Sequence, residues 1–301
     1  MAFGSVNEIA PPKINLFLHV GEKGVGGFHA LQSLAVFGQA GDRLAAASSE
    51  TLTLSLAGPF AVGLSATDNL VLKAANALGM ANGAQMILEK NLPVASGIGG
   101  GSADAAAALR ALCRLWNVAR SDLANIAATL GSDVPVCLLG KPALMEGRGE
   151  IVTPVAALPR LSLLLINPGV PVATRDIFAR LTTRRGIGLE LPAKGFTDLA
   201  DLLRFLEKTG NDLEAPALSL VPSIGEVLAA LKASPGALFT RMSGSGATCF
   251  GIFPDDASAA RAGATLKQQQ SGWWVHADSV AEVNIVHREQ GRDFAPRTKG
   301  A

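Results

Sequence analysis

Apolar positions along the chain follow two periods, one typical of strands and one typical of helices. Continuous or alternating apolar runs predict strands, since successive side chains of a strand face opposite sides. These runs cover residues 14–20, 52–56, 85–89, 161–166, 247–253 and 273–286. Apolar residues three and four apart, with polar or glycine ends, predict helices. These segments cover residues 68–78, 102–116, 121–130, 199–208, 223–233 and 256–270.

The ends of these elements indicate how they connect. We expect Thr67 or Asp68 to cap the helix over residues 68–78, and Gly79 to follow its end. The basic segment over residues 182–194 predicts a loop. Strands and helices mix without an internal repeat, so the sequence predicts an α+β protein with two halves that divide near residues 155–160.

Composition narrows the class of protein. The 301 residues are 49% hydrophobic, enough for one large domain or two ordinary ones. A net charge of +1 with mixed signs predicts neither a nucleic acid nor a membrane surface as partner. Three separated cysteines predict a reduced, cytoplasmic compartment, and four scattered histidines do not predict a zinc site. We expect no signal peptide, and the longest apolar run is too short to span a bilayer.

The most informative segment is PVASGIGGGSADAA, residues 93–106, a glycine-rich loop that leads into an alanine-rich helix. Glycines let the backbone curl tightly and approach a ligand closely. We expect Ser102 and Asp104 at the helix start, where free N–H groups and the positive end of the helix dipole favour phosphate. The segment therefore predicts a nucleotide-phosphate site; a glycine-rich turn that only caps a helix is the alternative.

Two common phosphate-binding motifs do not fit this loop. A Walker A loop ends in Gly-Lys-Ser/Thr, whereas Gly101 precedes Ser102 and Ala103. The dinucleotide-binding fingerprint requires a third glycine where this chain has Ser102. It also requires an acidic residue about 20 positions later, and Asp122 at that distance lies at a predicted helix start.

Other segments carry residue types of interest, and each alone has an ordinary structural explanation. PPKINL, residues 11–16, places a lysine at the start of a strand. GSDVP, residues 131–135, holds an aspartate that can simply bond its own turn. SGSGA, residues 243–247, predicts a turn before a strand. GFHALQS, residues 27–33, can be a core aromatic residue beside a surface histidine.

Taken together and in this order, these segments resemble the motifs of the GHMP kinases over about residues 9–284. The resemblance implies an N-terminal domain similar to ribosomal protein S5 domain 2 over residues 1–157. It implies a ferredoxin-like domain over residues 158–287, with ATP and substrate in the cleft between them. We expect residues 288–301 to be a disordered tail.

The resemblance also implies roles for individual residues. Lys13 and Asp133 would be catalytic, with Asp133 as the base that acts on the acceptor hydroxyl. The substrate would contact Asn15, Phe28, His29 and Thr174. The ATP site would comprise Asn69, Leu70, Lys90, Pro93, Val94, Ala95, Ser96, Gly97, Ile98, Gly99, Gly100, Gly101, Ser102 and Ala103.

The segment over residues 27–33 is similar to one that contacts cytosine in this family. It implies phosphorylation of the 2-hydroxyl of 4-diphosphocytidyl-2-C-methyl-D-erythritol, a step of non-mevalonate isoprenoid synthesis. Mg²⁺ is expected with ATP, no ligand for it can be named, and the protein would be a monomer or homodimer. Three positions depart from the family pattern: Pro12, Gly26 and Ala103.

Three alternatives stay open on the sequence. The chain could be another GHMP kinase, such as a homoserine or mevalonate kinase, although residues 27–33 favour a cytidine-bearing substrate. It could be an inactive, ligand-sensing member, although such a protein would be expected to lose Lys13 or Asp133. A nucleotide-binding oxidoreductase is the third alternative.

Overall fold

The structure is a computed structural model and describes residues 5–24 and 27–284. Gly26 and the predicted tail over residues 288–301 lie outside these residues. The N-terminal half contains the strands β1 (Ser5–Ala10), β2 (Lys13–Lys23), β3 (His29–Phe37), β4 (Asp42–Ser49), β5 (Thr53–Ala57), β6 (Gly83–Glu89), β7 (Ala143–Gly147) and β8 (Ile151–Pro154). Its helices are α1 (Leu70–Ala77), α2 (Gly100–Leu115), α3 (Leu123–Leu130) and α4 (Val134–Leu139).

The chain then passes through β9 (Ala157–Leu158) into the C-terminal half. The strands of this half are β10 (Leu161–Asn167), β11 (Phe239–Met242), β12 (Cys249–Phe253), β13 (Trp274–Val280) and β14 (Val283–Asn284). The helices are α5 (Thr174–Ala179), α6 (Leu199–Glu207), α7 (Glu214–Leu220), α8 (Ser223–Ala233) and α9 (Asp256–Gln269). We propose that the domain boundary lies between residues 157 and 158.

Two four-stranded sheets form the N-terminal half, in the orders β1-β4-β6-β5 and β2-β3-β7-β8. The C-terminal half has the antiparallel order β11-β12-β10-β13. Within the described residues, β5 and β6 are the only parallel neighbours among these strands. A doubly wound oxidoreductase fold needs a mostly parallel sheet, so this arrangement does not support that alternative.

Helix α2 packs on β1 and β4 through a run of alanines. Residues 103 and 105–108 are all alanine and nearly inaccessible to solvent, so the helix can approach the sheet closely. A separate apolar cluster joins the two halves, in which Phe17 and Leu34 are buried together with Leu163 and Phe250. This shared core holds the two halves against each other.

Several predicted element ends are wrong. Asn69, not Thr67 or Asp68, caps α1 by accepting a hydrogen bond from the Val71 amide at 3.0 Å. Helix α2 begins at Gly100, so Asp104 lies in its second turn. The segment over residues 131–135 leads directly into α4, which has a proline in its first turn. The predicted strand over residues 273–286 is two strands, β13 and β14.

No single helix of the described ranges is long and apolar enough to cross a membrane. Helices α7 and α8 together reach that length and composition, but they are bent by 120° at their junction.

Candidate active site

A cavity of about 610 Å³ lies between the two halves. This volume is in the range of small-molecule sites. Its wall includes predicted ATP-site residues, namely Asn69, Leu70, Lys90, Pro93, Val94, Ala95, Ser96, Gly97, Gly99, Gly100, Gly101 and Ser102. It also includes Lys13, Asn15, Asp133 and Thr174, so most predicted site residues meet in one place. Ile98 and Ala103 are buried in the protein and do not line it.

The glycine-rich segment curls over the start of α2. Gly97 and Gly99 adopt φ values of +77° and +65°, a conformation that favours glycine. Four successive carbonyls are held by the rest of the protein: those of residues 95, 96, 97 and 98 accept bonds from Val172, Thr248, Ser243 and Lys13. The first amides of α2 have no partner within the helix. The segment therefore offers N–H groups to an anion, as a phosphate site requires.

The turn over residues 243–247 packs directly on this loop from the other half. A Cβ at Gly97 would lie 2.5 Å from the Ser243 carbonyl oxygen and 2.6 Å from the Gly246 nitrogen. The Ser243 hydroxyl donates a hydrogen bond to the Gly97 carbonyl oxygen at 3.1 Å and accepts one from the backbone N–H of Asn15 at 3.1 Å. The two halves thus meet backbone against backbone at the proposed phosphate site.

Lys13 and Asp133 form an ion pair at the floor of the cavity. Lys13 Nζ lies 2.9 Å from Asp133 Oδ2, and their side chains are 5% and 33% exposed. Asp133 precedes α4 but makes no hydrogen bond to the amides of that helix. The alternative that it only bonds its own turn is therefore wrong. A Cβ at Gly99 would lie 3.2 Å from Lys13 Cε, so the pair touches the glycine-rich loop.

Asn15 orients this pair. Its Oδ1 accepts a hydrogen bond from Lys13 Nζ at 3.0 Å, and its Nδ2 donates to Ser33 Oγ at 2.6 Å. The Ser33 hydroxyl donates onward to the Phe17 carbonyl at 2.6 Å. Direct contact of Asn15 with substrate stays a prediction. Ser33 ends the segment over residues 27–33 that the sequence singled out, but the sequence predicts no role for it, because its partner Asn15 lies in another strand.

Lys90 lies in the cavity wall, but its ammonium group is already paired. Its Nζ contacts Asp42 Oδ2 and lies 2.6 Å from Asp104 Oδ2. Burial alone would lower the pKa of Lys90, yet the two carboxylates outweigh burial and raise this pKa. Burial raises the pKa of Asp104 to about 7, against the opposing effect of Lys90. Sequence reasoning did not single out Asp42.

Phe28 and His29 lie at the start of β3, outside the cavity wall. Phe28 is 62% exposed and lies under the Arg148 guanidinium, 5.3 Å from ring centre to Cζ. The His29 ring stacks on Phe178 at 5.7 Å between centroids, and Phe178 lines the cavity. Contact of Phe28 and His29 with cytosine therefore stays a prediction. Phe178 was missed because its helix α5 was not predicted.

Thr174 begins α5 at the rim contributed by the C-terminal half. Its hydroxyl lies 3.0 Å from Ser245 Oγ. Ser245 belongs to the turn over residues 243–247, which packs on the glycine-rich loop, the proposed phosphate loop over residues 93–102. In the described part of the chain, no group of three or more His, Cys, Asp or Glu side chains could hold a metal.

Comparison with known proteins identifies the family of this chain. The family described as GHMP kinases N terminal domain matches residues 69–141, and GHMP kinases C terminal matches residues 190–271. A 4-diphosphocytidyl-2-C-methyl-D-erythritol kinase of Parvibaculum lavamentivorans is 49% identical in an alignment of 287 positions, which covers 92% of this chain and 99% of the relative. One of Cereibacter sphaeroides is 51% identical, covering 88% of this chain and 96% of the relative.

Solved structures give the same result. A crystal structure of 4-(cytidine 5'-diphospho)-2C-methyl-D-erythritol kinase has a TM-score of 0.74 and 34% identity, covering 92% of this chain and all of that one. Homoserine kinase from Cytophaga hutchinsonii, at 22% identity and a TM-score of 0.70, shares the fold over 94% of this chain and 97% of its own. The predicted two-domain α+β architecture is confirmed. The chain belongs to the GHMP kinase family, in the group of the 4-diphosphocytidyl-2-C-methyl-D-erythritol kinases.

Proposed function

We propose that this protein transfers the γ-phosphoryl group of ATP to the 2-hydroxyl of 4-diphosphocytidyl-2-C-methyl-D-erythritol. The products are ADP and the 2-phosphate of the substrate. The observation that carries the proposal is the Lys13–Asp133 ion pair directly beneath Gly99 of the phosphate loop. A phosphate on the loop and a hydroxyl on the pair would be neighbours, and phosphoryl transfer needs mainly such positioning and charge stabilisation.

In this mechanism the backbone amides of the loop and of the first turn of α2 hold the polyphosphate. Asp133 orients the acceptor hydroxyl and takes its proton as the oxygen bonds to the γ-phosphorus and the bond to ADP breaks. Lys13 stabilises the negative charge that develops at the transferred group. Asn15 fixes the Lys13 ammonium between its own amide oxygen and Asp133.

Magnesium would enter with ATP and neutralise part of the phosphate charge. Mg²⁺ is usually held by one or two carboxylates together with substrate phosphates rather than by a cage of protein ligands. A cavity without a three-residue acidic cluster in the described ranges fits that mode.

The cytidine end of the substrate would lie toward β3 and α5. His29 Nδ1 lies 3.0 Å from the Gly21 carbonyl oxygen, which orients the ring on Phe178. Phe178 lines the cavity, and aromatic side chains stack well on bases. We propose that Phe178 contacts cytosine together with the predicted Phe28 and His29, with Thr174 at the rim.

The test is release of ADP with MgATP and 4-diphosphocytidyl-2-C-methyl-D-erythritol, in parallel with mevalonate, homoserine and galactose. We expect turnover of the cytidyl substrate alone, and a loss of about 10²–10⁴-fold in kcat for Asp133→Asn. Asp122→Asn, a surface aspartate paired with Arg120, is the matched control and should retain full activity. Turnover of another alcohol only would refute the substrate. ATP binding without turnover would indicate a ligand sensor.

A further inference from the structure

A buried ionic triad lies behind the phosphate loop and takes no part in the proposed phosphoryl transfer. It consists of Asp42 at the start of β4, Lys90 after β6 and Asp104 in α2, with side chains that are 0%, 5% and 5% exposed. Lys90 Nζ contacts one oxygen of each carboxylate. Three segments distant in sequence therefore meet at one ammonium group.

The triad holds the start of the phosphate loop. The second oxygen of Asp42 accepts hydrogen bonds from the amides of Asn91 at 2.5 Å and Leu92 at 2.8 Å. These are the last two residues before the loop, which begins at Pro93. A charged acceptor that receives two amide bonds fixes the direction in which the chain leaves β6.

The triad also lies against the end of the loop. A Cβ at Gly100, the first residue of α2, would lie 3.6 Å from Lys90 Nζ and 3.8 Å from Asp42 Oδ2. Asp104 is one turn further along the same helix. The ion-paired cluster therefore lies close to both ends of the loop, near Leu92 at its start and near Gly100 at its end.

Apolar side chains could fill the space behind the loop without burying charged groups. Two carboxyl groups and one ammonium group are buried together here, and Asp104 Oδ1 has no hydrogen-bond partner. Buried ion pairs are often no more stabilising than apolar replacements of similar size. Hydrogen-bonded ion pairs fix the distances and directions between their groups, which apolar side chains do not do. The loop needs such fixed positions at its start and at its end.

We propose that Asp42, Lys90 and Asp104 are positioning residues that hold the phosphate loop in its ATP-binding shape and thereby set the affinity for ATP. The proposal rests on the function proposed above. It assigns to Lys90 an action through the loop rather than a direct contact with the nucleotide.

The test compares MgATP dissociation constants and steady-state kinetics for Asp42→Asn, Asp104→Asn and Lys90→Arg. We expect Asp42→Asn to raise both Kd and KM for MgATP by about 10–100-fold, since it weakens the hydrogen bonds to the two backbone amides that directly precede the loop. The kcat at saturation and the KM of the acceptor substrate should stay within about threefold. Lys90→Arg keeps the charge and should stay closer to wild type than Lys90→Met.

Glu8→Gln is the matched control. Glu8 pairs with Arg110 and Arg114 of α2, so the variant weakens another ionic contact of the same helix, away from the loop. It should lower the melting temperature without changing the Kd for MgATP. If the triad variants also lose only melting temperature, the triad is structural and the proposal is wrong.

Two further outcomes keep the test decisive. If Asp42→Asn does not fold, Asp104→Asn and Lys90→Met carry the comparison, and a Kd equal to that of wild type in both would overturn the proposal. If wild type binds MgATP but phosphorylates no substrate, the proposed function fails. The Kd series then still decides the role of the triad by itself.

Discussion

The close approach of the two halves at Gly97 makes the substitution Gly97→Ala a sharp test of the site geometry. At φ +77° a non-glycine residue costs roughly 1–2 kcal/mol. The new methyl would also lie 2.5, 2.6 and 2.7 Å from three backbone atoms of Ser243 and Gly246. Since no side-chain rotation relieves contacts with backbone, the loop or the opposing turn must move.

The size of that movement sets the expected loss. Cβ atoms essentially never lie closer than 3.0 Å to such neighbours, so the 2.5 Å contact requires a shift of about 0.5 Å. A misplacement of about 1 Å can cost 10²-fold in rate. We therefore expect Gly97→Ala to lower kcat/KM for MgATP by about 10–100-fold.

The matched control is Gly79→Ala. Gly79 follows α1 with φ +64°, and a Cβ there meets no atom within 4 Å. This variant carries the backbone cost without the clash, so it should lose some stability and retain full activity. The assay is ADP release over a range of MgATP concentrations, with melting temperatures of both variants. If Gly97→Ala keeps kcat/KM within threefold of wild type, the backbone contact between the halves does not position the phosphates.

Three other predictions follow from buried or cavity-lining side chains. Folding raises the pKa of Asp104 from 3.8 to about 7, so the folded chain binds the extra proton and stability falls as pH rises from about 4 to 7. The difference in urea unfolding free energy between wild type and Asp104→Asn should fall by about 1.4 kcal/mol per pH unit in this range. A difference that does not change with pH would contradict the raised pKa of Asp104. Phe178→Ala should raise the KM of the cytidyl substrate about tenfold at unchanged KM for ATP, and equal effects on both would exclude a specific contact with the base. Arg241 donates hydrogen bonds to Leu16, Leu206 and Thr209 oxygens. Arg241→Met should therefore lower the urea unfolding free energy by about 3 kcal/mol, and a loss below 1 kcal/mol would show that these bonds contribute little.

Elements with a strong local pattern were predictable. The continuous apolar run over residues 161–166 is confirmed as β10, and the helix predicted over residues 256–270 is α9, capped by Asp255. Strand β3 was missed because Gln32 and Ser33 are buried polar residues that interrupt its apolar pattern. Their partners lie in other elements, so no local period could indicate that this segment is buried.

The shape of the glycine-rich loop was predictable for the same reason. Positive φ at Gly97 and Gly99 and the alanine-rich helix that follows are properties of adjacent residues. The N-cap was not predictable at the right position. Ser102 has a capping side chain, but the tight curl of the loop lets the helix begin two residues earlier, at Gly100.

The two-domain α+β class and the family could be predicted from the amino-acid sequence, because the order of motifs and the periods of apolar residues are properties of neighbouring positions in the chain. Which side chains act together depends on how the chain folds in three dimensions. The tertiary structure brings Lys13 to Asp133, pairs Lys90 with Asp42 and Asp104, and presses the Ser243 turn on Gly97. These contacts depend on how the sheets and helices pack across the two halves, and packing between distant segments leaves no periodic trace along the chain.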